Sequence, residues 1–224
     1  MKARDLRRNA SLQAAWVLAL VVSAGWVRVA VAQELPAGAA DEATVEIPSE
    51  ANNIQQATMS YGAGQRALKK HAKLTEKADA ANGTDREKLE SKAREQLESA
   101  VQNFANAISL NPKLHKAYVA LGDTLVMLDQ NQDAVGVYSQ AIELEPSDWA
   151  TVLSRGRAMV AVNNIQGAVD SYQVLRNGDV SKADELLATI KGWVEDKQAN
   201  PGQIPPDAIK QVESWIVQQE GSTS

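Results

Sequence analysis

The sequence predicts an all-α fold: a short α-solenoid of about three helix-turn-helix units, with C-terminal capping helices. Three observations carry this. From about Ile54 onward, apolar residues recur at spacings of three and four, in stretches separated by turn signals. "FANAISLNP" (104–112) and "YSQAIELEP" (138–146) follow one template, thirty-four residues apart. No part of the chain shows a strand pattern long enough to defend.

The N-terminus is different. Lys2, Arg4, Arg7 and Arg8 make a basic start, Ala14 to Val27 is rich in apolar residues, and Ala30-Val31-Ala32 offers small residues at a cleavage site. This order reads as a secretory signal peptide over 1–32, with an apolar run short for a membrane span. Export predicts a periplasmic or secreted protein, whose membrane contact is limited to the signal if it stays uncleaved. Residues 33–53, "QELPAGAADEATVEIPSEANN", read as a flexible linker without sustained apolar period. There is no cysteine, so no disulfide or thiolate metal site is expected and an apolar core must hold the fold. The formal charge is −5, and removing the five basic residues and one acid of 1–32 makes it −9. Such a balance argues against a nucleic-acid partner. It is uneven: 66–94 hold nine basic and five acidic residues, whereas 95–224 hold nine basic and seventeen acidic.

The domain is expected over 54–219, followed by a tail, 220–224. Its first unit has two elongated helices, about 57–80 and 84–110. "NGT" marks the turn between them, Thr84 and Glu87 form a capping box, and Pro112 ends the second helix. Shorter helices follow at 114–128, 131–144, 148–162, 165–177, 181–197 and 206–219. The repeats are bounded at 82–114, 115–148 and 149–180, with the cap at 181–219. Trp193 and Trp215 sit on apolar stripes and read as core. Gly122 and Gly156, costly inside helices, read as points where small Ala134 and Ala168 of the paired helix come close.

The unit at 115–148 carries Tyr118, Leu121-Gly122, Leu125, Ala134, Tyr138, Ala141 and Pro146. The next keeps Gly156, Ala168 and Tyr172 but has Leu175 and Val180 for the later Ala and Pro. The unit before keeps Ala100, Phe104, Ala107 and Pro112, with Lys88 where glycine is expected. This pattern resembles the tetratricopeptide repeat. The resemblance covers about 84–177 by pattern and 57–219 by helical continuity. It implies that the first helix of each unit lines a groove for an extended or helical segment of a partner protein or peptide. Carried over by position, the groove comprises Lys116, Val119, Asp123, Val126, Met127, Leu153, Arg157 and Val160, with Ala120, Ser154 and Ala161 beside them. Asp123 stands where the family's carboxylate clamps want Asn, and an acid there repels a C-terminus. Asp123 and Arg157, one repeat apart, could instead pair with each other.

No motif for enzymatic chemistry is present, and neither metal nor cofactor is expected. His71 and His115 lie 44 residues apart without ligand-like spacing. His71 is expected on a partly buried face and His115 exposed at a helix start. "YGAGQ" (61–65) carries no weight as a phosphate loop because it lies within a helical region. Lys69, Lys70, Lys73 and Lys77 form a basic face, by default solvated, which could also meet an acidic partner or an anionic membrane. The functional expectation is an exported tetratricopeptide-repeat adaptor that binds a partner segment and is not an enzyme. The alternative is a homo-oligomeric envelope scaffold, self-associating through the groove or the oppositely charged ends.

Overall fold

A computed structural model of the chain describes residues 18–23, 26–31, 45–46 and 49–221. It divides into two compact units, Met1–Asn53 and Ile54–Ser224.

The first unit holds a small antiparallel sheet. Strand β1, Leu18–Ser23, pairs with β2, Trp26–Val31, and β2 pairs with β3, Val45–Glu46. This corrects the expectation that no strand would form. "WVRVAV" is rich in β-branched residues and alternates with a period of two, and a short apolar run does not itself distinguish strand from helix. The basic start and Ala32 of the expected signal lie outside the described residues, as does 33–44 of the expected linker. No helix among the described residues is long and apolar enough to cross a membrane.

The second unit is helical: a short α-solenoid of three helix-turn-helix pairs and a C-terminal capping pair. Helix α1 spans Glu50–Asp79, so it begins four residues before the expected domain start. It pairs with α2, Gly83–Leu110; α3, His115–Met127, pairs with α4, Asn131–Leu144; α5, Trp149–Ala161, pairs with α6, Ile165–Gly178. The capping pair is α7, Val180–Ala199, and α8, Pro206–Gly221. The turns inside the second and third pairs place Asp129 and Asn163, one repeat apart, at φ near +60°. Asn and Asp tolerate this conformation because their short side chains can bond locally.

Helix starts are held unevenly. Asp148 accepts from the Thr151 amide and hydroxyl, Asn164 from the Gly167 amide, and Asp179 from the Lys182 amide. The expected capping box at Thr84 does not form. The N-cap of α2 is Asn82, without a side-chain cap, and Gly83 follows it at φ +57°.

Two clusters make the core. Phe104, Leu121, Leu125 and Tyr138 centre the first, which spans the first two pairs. Val152, Tyr172, Leu175, Leu186 and Ile190 centre the second, which joins the third pair to the cap. Trp193 is buried there, and Trp215 packs its edge on Tyr172 at 5.1 Å between centroids.

The glycines set how the pairs close. A Cβ on Gly122 would lie 2.5 Å from the Tyr138 ring, and one on Gly64 would lie 2.5 Å from the Phe104 ring. The close approach expected at Gly122 is therefore real, but the group that approaches is a ring, not Ala134. At Gly156 the nearest atoms belong to Leu186 of α7, again not to Ala168. Gly64, passed over in the sequence, is the first pair's counterpart of Gly122.

Gly122→Ala should therefore destabilise by roughly 1–3 kcal/mol, because the buried ring must move. Gly136→Ala, within α4 and with open space at its Cβ, should stabilise by roughly 0.5–1 kcal/mol. Tyr138→Ala should cost roughly 3–5 kcal/mol. Urea unfolding of the three variants tests this; equal midpoints for the two glycine variants would contradict it.

Candidate partner-binding groove

The first helices of successive pairs are tied to one another by side chains on one face. Lys116 of α3 holds its ammonium 4.7 Å from the centre of the Tyr61 ring of α1, a cation–π contact. The Tyr138 hydroxyl of α4 donates to Asp123 of α3 at 2.7 Å. Arg157 of α5 pairs with Glu185 of α7 at 2.9 Å. The face runs from α1 through α3 and α5 to α7, with a polar link from α1 to α3 and from α5 to α7.

The expected groove residues divide into three groups. Lys116, Val126 and Met127 are exposed; Val126 is 38% and Met127 56% accessible, although both are large and apolar. Val119 is half-buried beside them, and the four share one stripe of α3 with Asp123. Leu153 and Val160 are buried in the second core cluster and line no groove, because their side of α5 faces α6 and α7. Asp123 and Arg157 do not pair with each other. Asp123 is taken by Tyr138, and Arg157 turns to the acid of the following helix.

The polar link at Asp123 is electrostatically strained. Burial pushes its carboxyl above the usual range, and the Asp148 charge adds to this, while the hydrogen bond from Tyr138 opposes it. Burial, the hydrogen bond to Asp123 and the Asp123 charge together hold the Tyr138 phenol far above its ordinary range. Sequence reasoning placed Tyr138 in the core and missed this second role. The available signal was that a buried tyrosine needs a partner for its hydroxyl.

His115 is also not where it was expected. Its side chain is only 13% exposed, with Nδ1 3.5 Å from Glu145 and Nε2 3.4 Å from Asp148, because the turn between α4 and α5 folds over it. His71 is half-buried as expected, and its Nδ1–H donates to the Ala93 carbonyl at 3.1 Å. Among the described residues, no three metal-ligating side chains converge. A cleft of about 460 Å³ lies in the cap between Asn163, Trp193, Ile204 and Trp215, so the two tryptophans are core residues that also wall an opening.

No protein-family model matches the chain, and no curated protein sequence does. Among solved structures, it is similar to the TPR domain of Arabidopsis OM64: 15% identity over 75% of this chain and 98% of that one, TM-score 0.39. The TPR2B domain of yeast Sti1, solved in complex with a pHsp70 segment, aligns at 16% identity over 74% and 98%, TM-score 0.38. MamA aligns at 17% identity over 72% and 91%, TM-score 0.40.

The Asp123 link makes a signed prediction. Its folded-state pKa lies above the unfolded value, so the fold favours the protonated form. Stability from this group is fully present below the ordinary carboxylate range and is lost as pH rises through the folded value. Asp123→Asn keeps an acceptor for Tyr138 and removes the charge. Thermal melts from pH 3 upward should show the variant gaining on wild type as pH rises. A constant difference would contradict the assignment.

Proposed function

We propose that the chain is an exported tetratricopeptide-type adaptor, periplasmic or secreted, which holds a segment of a partner protein against the first-helix face. The observation that carries this is the stripe on α3. Val119, Val126 and Met127 form an apolar strip, two of them exposed without any role in the core, flanked by Lys116 and the Asp123–Tyr138 link. Apolar surface with a few directional groups suits an amphipathic or extended peptide. Leu153 and Val160 drop out of this surface, so it centres on α3 and reaches α5 through Ser154 and Arg157. Export rests on the basic, apolar and A-x-A order of 1–32. A homo-oligomeric scaffold is the second reading, favoured by the opposite charge of 66–94 and 95–224.

The test is affinity capture from the host's envelope fraction, with Val119→Glu/Arg157→Glu as the comparison. Both positions are outside the buried core, and the Arg157–Glu185 pair is half-exposed and worth at most about 1 kcal/mol, so the variant should remain folded by circular dichroism. A partner held by wild type and reduced about tenfold or more in the variant, then reproduced with purified components, is the expected result. Equal capture by both proteins would move the site off this face. Capture of the chain's own copies alone would favour the scaffold.

A further inference from the structure

The first helix pair is much longer than the fold requires. Helices α1 and α2 have 30 and 28 residues, whereas those of the next two pairs have 13 or 14. Gly64 and its ring, Phe104, are 40 residues apart; Gly122 and Tyr138 are 16 apart. The difference of 24 residues is inserted at the tip, between the two arms of the hairpin. At 1.5 Å per residue, the tip of α1 extends roughly 15 Å past the end of α3. The solenoid needs none of this length, because Phe104 already closes the pair on Gly64.

The chemistry of this arm is asymmetric. A cleft of about 410 Å³ between α1 and α2 is lined by Lys70, Lys73, Leu74, Lys92, Glu95 and Gln96. Among the described residues, none of the three lysines has a carboxylate within salt-bridge distance, nor do Lys69 and Lys77 on the adjacent turns. The arm's ion pairs are instead Arg86–Glu90, Lys88–Asp85 and Arg94–Glu98. Three ammonium groups around a half-buried leucine line an anion-attracting concavity, with Lys69 and Lys77 on the adjacent turns. The only carboxylate in the lining is Glu95.

We propose that the arm is a second docking site, and that its cleft takes an acidic peptide segment of a partner protein. An apolar side chain of the segment rests on Leu74, and its flanking carboxylates meet Lys70, Lys73 and Lys92. A bilayer fits less well. The surface is a cleft rather than a flat face, and the exposed large apolar side chains of α1, Ile54 and Met59, lie outside the residues 69–97 that form it. This site is independent of the α3 face.

The test uses the full-length chain and a fluorescein-labelled oligoglutamate peptide with one central leucine, followed by fluorescence anisotropy. The expected result is saturable binding that weakens as salt is raised from about 50 to about 300 mM. It should fall about tenfold or more in Lys70→Glu/Lys73→Glu/Lys92→Glu, with an unchanged melting curve. Lys113→Glu/Lys210→Glu, charge reversals outside the arm, should bind as wild type does. Equal weakening by both variants would overturn the proposal, as would undiminished binding by the triple variant. Co-sedimentation with phosphatidylserine-containing vesicles in the absence of peptide binding would overturn it in favour of a membrane contact.

Discussion

The helical array depends on the absence of a Cβ atom at two positions. Glycine inside a helix costs about 1 kcal/mol relative to alanine. At Gly64 and Gly122 that cost is offset by an aromatic ring laid on the backbone of the paired helix. Phe104 and Tyr138 are almost fully buried as a result. The pair closes tightly, and the ring also reaches the neighbouring pair, so one contact sets both spacings. The third pair alters the rule. Leu186 of α7 occupies the space over Gly156, and Tyr172 meets Trp215 of α8. The capping helices therefore join the core through the positions that join one repeat to the next.

The same ring explains the polarity of the face opposite. Tyr138 is deep enough to be core and long enough to emerge beside Asp123. Its hydroxyl ties α4 to α3. With Asp123 occupied in this way, the acid does not neutralise Arg157, which turns to Glu185. What stays available on α3 is Lys116 and the apolar strip at its C-terminal end. The character of the face thus follows from packing one residue deeper.

The helices of the second unit were legible because period, glycine and proline signals agreed, and α3 to α8 begin and end within about two residues of where the sequence puts them. The close approach at Gly122 was also legible, but not its partner: a template shows which residues recur, not which atoms touch. Gly64 was hidden because the inserted residues break the period of thirty-four, so the matching position fell on Lys88. The strands were hidden because apolar residues over 18–31 satisfy a signal-peptide reading equally well. Of the groove residues placed by position, Val126 and Met127 are exposed, whereas Leu153 and Val160 are buried in the cluster that includes residues of the capping helices.

The long first hairpin has a consequence for how the molecule comes apart. Beyond Leu68 its buried apolar residues are two alanines, Ala78 and Ala93, and one leucine, Leu97, with the His71–Ala93 bond beside them. Local stability follows buried area and protected hydrogen bonds. The arm is therefore a cooperative segment of its own, opening at lower free energy than the ring-centred core. A cut at the Ala81–Asn82–Gly83 turn would leave Phe104 and Gly64 in contact. Backbone amides near the tip should lose their hydrogens to solvent long before those around Tyr138.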